Sequence, residues 1–194
     1  MTMVLDHLVV AARTLDEGAA WCEQQLGVSP APGGRHALMS THNRLLHISS
    51  AAYPRCYLEI IAIDPEAPAP GRARWFDLDQ PALQARLAEG PGLIHWVSRV
   101  PSLDAALAQW RSEGVDAGVV VAASRGALRW QIALREDGRR LRREGLPLLI
   151  EWGEAHPCDS LPASGVQLLD YEARDGLRAR LATPLGERIL EVIG

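Results

Sequence analysis

Two histidines and two glutamates hold matching places in this chain. His7 is the third residue of LDHLVV and His95 the third of LIHWVS, while Glu59 lies within CYLEIIAID and Glu151 within LPLLIEWGEA. Side chains alternate along a strand, so His7 shares a face with Leu5 and Val9, His95 with Leu93 and Val97, Glu59 with Tyr57 and Ile61, and Glu151 with Leu149. An ionised carboxylate in such apolar company is costly unless it is paired, hydrogen-bonded or bound to a metal. One shared divalent cation explains the quartet most simply. Two neutral imidazoles and two carboxylates suit Zn, Ni, Co, Mn or Fe(II), with positions open to water or substrate, whereas Ca prefers an all-oxygen shell. Such an ion polarises a carbonyl or holds an enediolate, and Glu151 or Glu59 is then the base that takes a proton from the neighbouring carbon.

These residues sit on a chain written twice. LDHLVVAARTLDEGAAWCEQQLGV from Leu5 matches LIHWVSRVPSLDAALAQWRSEGV from Leu93, with Leu15-Asp16 aligned to Leu103-Asp104. Each copy reads as a strand and then a helix that Asp16 or Asp104 opens and Gly27 or Gly114 ends. HALMSTHNRLLHIS in the first copy, and AGVVVAAS with LRWQIALRED in the second, read as further strands before the Glu-bearing one. The expectation is an α+β protein of two βαβββ modules. Module one with its linker covers 1–90 and module two 91–157, with PEAPAPG as the linker and a short helix at 80–89. Residues 158–194 form an extension of short strands packed on the same domain, the last two joined through Pro184-Leu185-Gly186. REDGRRLRR, Arg135 to Arg143, reads as a solvated hairpin tip.

Composition removes several classes of function. All 20 basic residues are Arg, so Schiff-base chemistry, pyridoxal-phosphate attachment and a lysine-bearing phosphate loop are absent. A net charge of −4 spread along 194 residues gives no footprint for nucleic acid or an anionic membrane, and a small molecule is the expected partner. Three separated Cys, at 22, 56 and 158, make neither a disulfide framework nor a paired-Cys zinc site. With no basic leader and no apolar stretch of spanning length, a cytoplasmic protein is expected.

With THNRLL, YLEIIAIDP, SRG followed by LRW, and LPLLIEWGEAHP, the chain resembles the glyoxalase-like domain family of the vicinal oxygen chelate superfamily over residues 4 to 157. The resemblance implies that the two modules pair into a cup-shaped, incompletely closed mixed sheet. It also implies metal ligands from the first and last strand of each module, positions that His7, Glu59, His95 and Glu151 occupy. The implied activity is that of a divalent-metal-dependent lyase or isomerase acting on an α-hydroxycarbonyl or similar small chelating substrate. The alternative is a metal-free binding or sequestering protein on the same fold, with a buried Glu paired to Arg125 or Arg129. Near the expected cup entrance, His42, Asn43, Arg125 and Trp130 are candidates to touch substrate, Arg125 by forking onto a carboxylate. Exposed sheet edges leave room for a homodimer.

Overall fold

A computed structural model describes residues 2–141, 145–173 and 176–193. Module one runs β1 (Val4–Ala11), α1 (Leu15–Leu26), β2 (Ala31–His36), β3 (Thr41–His47) and β4 (Tyr57–Ile63). Module two repeats the order as β5 (Gly92–Arg99), α3 (Leu103–Ser112), β6 (Val119–Arg125), β7 (Leu128–Leu134) and β8 (Leu148–Trp152). Thr14 and Ser102 cap the two long helices through hydroxyls that accept from Glu17 N and Ala105 N, while Asp16 and Asp104 lie in the first turns. Gly27 ends α1 in the left-handed region, φ 74°, where a glycine carries no Cβ penalty.

The strands form one curled sheet in the order β2-β3-β4-β1-β5-β8-β7-β6. Within each module the first and last strands pair in parallel, β1 with β4 and β5 with β8, and an antiparallel β1–β5 ladder joins the halves. Curling brings the edge strands β2 and β6 into contact, so the sheet is a half-barrel with a seam. The expected pair of βαβββ modules is present. On the convex side, Leu8, Val10, Leu58 and Ile60 pack on Cys22 and Leu26 of α1. The same cluster takes Leu168, Ala179 and Leu181 from a small second sheet of β9 (Gln167–Glu172), β10 (Arg178–Thr183) and β11 (Gly186–Glu191). Backbone bonds from Leu168 N to Ile48 O and Ile193 N to Leu93 O tie this tail to the modules. Under module two, α3 packs Leu103, Ala106, Leu107 and Trp110 on Ala133 and Leu149.

The concave side is not lined equally. After the proline-rich run, Trp75, Phe76 and Leu78, with Leu83 and Leu87 of α2 (Pro81–Leu87), pack on Ile94, Val97 and Leu148. The same cluster holds Val9, Ala11 and Ile61 of module one, so the linker packs on the concave face against both modules. The segment from Arg135 is not wholly a solvated tip: Arg140 has a buried side chain that donates from Nε to Asp77 Oδ2 over 2.7 Å and from Nη1 to the Ile94 carbonyl over 2.6 Å. Arg142 and Arg143 lie outside the described residues. Among the described residues, no helix is long and apolar enough to cross a membrane.

Candidate functional site

The concave face holds a cleft that residues of both modules line, among them His7, Asn43, Glu59, Arg125 and Trp130. Register explains the grouping. His7 lies opposite Tyr57 and Val9 opposite Glu59 in the parallel β1–β4 ladder, and Asn43 lies opposite Ile61 in β3–β4, so all share the concave face. Arg125, at the end of β6, arrives from across the seam.

Glu59 is 6% exposed and lies at the centre. Its Oε1 accepts from Asn43 Nδ2 over 2.6 Å, and its Oε2 is 3.7 Å from His7 Nε2. Asn43 Oδ1 in turn accepts from Gly34 N at 3.0 Å and from Arg125 Nη1 at 2.7 Å. This fixes the amide's orientation, because the flipped form would set its oxygen against the carboxylate and its NH2 against two donors. Two glycines make the arrangement possible. A Cβ on Gly33 would come within 2.4 Å of the Asn43 carbonyl oxygen, and one on Gly34 within 2.5 Å of Arg125 Cδ.

His7 and His36 flank the carboxylate. His36 Nε2 is 3.2 Å from Asn43 Nδ2 and 3.4 Å from Arg125 Nη1, both donors, so its proton sits on Nδ1 and goes to Thr41 Oγ1 at 3.0 Å. Burial pulls its pKa down to about 4 against the opposing pull of Glu59, and Arg125 adds to the lowering. His7 gives its Nδ1 proton to Asp6 Oδ1 over 2.7 Å and turns Nε2 to the cleft. Asp6 is fully buried and also accepts at Oδ2 from Trp152 Nε1 and His156 Nε2, each at 3.0 Å. Burial alone pushes the Asp6 carboxyl up, but the bonds and charges of His156 and His7 outweigh it and hold the group well below the usual carboxylate range. The Cys thiols are no nucleophiles: burial pushes Cys158 up to about 11 and Cys22 up to about 12.

The structure thus brings His7, Glu59, Asn43, Arg125 and Trp130 together, and leaves His95, Glu151 and His42 away from the cleft. Glu151 is turned to the convex side, paired with Gln131, and its Oε2 accepts from Leu103 N over 2.6 Å at the start of α3. The inward positions of β8 are instead Leu148, Ile150 and Trp152. His95 lies opposite Val9 on the concave side, but it is covered by Phe76, ring centroids 6.1 Å apart. His42 alternates with Asn43 and takes the other face. Among the described residues, no three His, Cys, Asp or Glu side chains are grouped to hold an ion. The residues present do not fit the expected four-ligand centre, because Glu151 caps a helix on the outer side of the sheet.

Sequence reasoning passed over Asp6, His156, Tyr57, Trp75 and Phe76. Asp6 and His156 meet only through the fold, from opposite ends of the chain. Asp6 did carry a local signal, as a charged residue inside an apolar strand run.

The glyoxalase-like domain model matches residues 5–184. No curated protein matches the chain. Among solved structures, a hypothetical protein from Staphylococcus aureus is similar with TM-score 0.62 and 14% identity over 99% of this chain and 86% of that one. A hypothetical protein from Bacillus halodurans C-125 has TM-score 0.52 and 14% identity over 80% and 97%. A methylmalonyl-CoA epimerase from Mycobacterium tuberculosis has TM-score 0.48 and 21% identity over 81% and 91%. At these identities the likeness concerns the fold alone. The family match spans both modules, the linker and most of the tail, and the chain belongs to the glyoxalase-like domain family.

Proposed function

We propose that the cleft carries out proton transfer beside a carbonyl, as a lyase or isomerase acting on a small carbonyl compound that bears an anionic oxygen. The observation that carries this reading is the Glu59 carboxylate, anchored at Oε1 by Asn43 with Oε2 turned to the cleft, beside a guanidinium. Oε2 takes the proton from carbon, the electron pair moves onto the carbonyl oxygen, and Arg125 lies where it can offset the new charge. Oε2 later returns the proton to carbon or gives it to a leaving group, with the His7 ring beside it at 3.7 Å. Asp6 holds the His7 ring in that orientation. The tilted Trp130–Trp152 pair and Trp75 exclude water from the bound substrate, which strengthens each of these charge interactions.

The test is solvent exchange. The purified protein in D2O is given pyruvate, 2-oxobutyrate and hydroxypyruvate, and loss of the carbonyl-adjacent proton signal is followed by NMR. Protein-dependent exchange of at least one compound, lost in Arg125→Gln, is the expected result. Bound ligand with no exchange in any of them would instead leave a binding protein on the same fold.

A further inference from the structure

We infer that Phe76 is a specificity-determining residue that sets the length of substrate the cleft accepts, so that this protein takes carbonyl acids of only a few carbons. The inference rests on the proposed function of the same cleft. Duplication gives the cup two equivalent halves, with His95 of β5 in the place that His7 holds in β1. His7 faces the cleft, which residues of both modules line, whereas His95 lies under the linker. Phe76 stands between the two. It lines the cleft and at the same time its ring lies against His95. It is 2% exposed, so it is wall and core together.

The backbone that presents this ring is held in an unusual form. Phe76 and the next residue, Asp77, both have left-handed backbones, φ 59° and 61°, which for a bulky residue such as Phe persists only where the surroundings enforce it. Those surroundings are the module-two segment that follows β7. Asp77 accepts from Arg140 N at 3.0 Å and Arg140 Nε at 2.7 Å, and Asp77 N donates to Gly138 O at 3.1 Å. Gly138 is required there, since a Cβ on it would lie 2.0 Å from the Arg74 carbonyl oxygen. A linker serving only to connect two modules does not need a buried arginine, a glycine contact and two left-handed residues to seat one aromatic ring. Seated this way, the ring closes the cleft toward Ile94 and His95 and limits how far a chain held by Arg125 can extend.

The experiment measures binding of pyruvate, 2-oxobutyrate, 2-oxohexanoate and 2-oxooctanoate by calorimetry to the wild-type protein, Phe76→Ala and Phe76→Leu. Wild type is expected to bind the shortest acids best. Phe76→Ala opens space beside His95, and its preference moves to 2-oxohexanoate, with about fourfold gained per added methylene relative to pyruvate. Phe76→Leu, which keeps most of the volume and is the variant to rely on if the alanine protein does not fold, shows a smaller shift in the same direction. The same chain-length profile in wild type and in a folded variant overturns the inference and leaves the proposed function standing. No binding of any of these acids to wild type overturns both.

Discussion

Asn43 donates to Glu59 over 2.6 Å and accepts from Arg125 over 2.7 Å, so one amide ties the carboxylate of module one to the guanidinium of module two across the seam of the half-barrel. Asn43→Ala removes both bonds and leaves Glu59 and Arg125 to find other partners. Proton exchange is expected to fall by about 10²-fold or more, with the fold intact by circular dichroism. Asn43→Asp keeps an oxygen for Arg125 but sets a second carboxylate where Glu59 now accepts the amide N–H, and it is expected to lower exchange as well.

The glycine pair of β2 predicts two different failures. Gly33→Ala meets the Asn43 backbone and has nowhere to move, so it lowers the melting temperature as well as ligand affinity. Gly34→Ala meets only the Arg125 side chain, which can shift, and it weakens carboxylate binding with little change in melting temperature.

Glu151 is a helix cap, and its removal tests stability rather than chemistry. Glu151→Ala is expected to cost about 1 kcal/mol, or roughly 2–4 °C in melting temperature for a protein of this size, with exchange unchanged. Loss of exchange without loss of stability would contradict its placement on the outer face.

Acid should destabilise the protein through His36. Its folded pKa of about 4 lies below the ordinary 6.5, so between these values the unfolded chain binds more protons and stability falls as pH is lowered. The full effect is about 3 kcal/mol across that window, by the linkage between pKa and stability. Asp6 is depressed likewise and acts in the same direction at lower pH. Thermal melts between pH 7 and 4.5 should show a shallower decline for His36→Gln than for wild type.

The fold was legible because duplication is a pattern in residue types. Paired His7 and His95, paired Leu-Asp helix starts and alternating strands place each element of both modules. The site was legible only on one side. In module one, Glu59 and His7 fall in phase with Tyr57 and Val9 on the concave face. In LPLLIEW both faces are apolar, since Leu149 packs on α3 while Leu148 and Ile150 face the cup, and a period of two cannot say which face is which. The linker misled for a different reason. PEAPAPG reads as an exposed spacer, yet the WFDL that soon follows it is a plug whose burial depends on Arg140, distant in sequence. Neither signal is local.

The most direct test compares Glu59→Gln with wild type in the D2O exchange assay, beside calorimetric binding of pyruvate. The glutamine keeps an oxygen for Asn43 and cannot take a proton from carbon, so exchange should fall by about 10²- to 10⁴-fold while pyruvate still binds. Undiminished exchange in a folded Glu59→Gln protein would contradict the assignment of Glu59 as the base of this cleft.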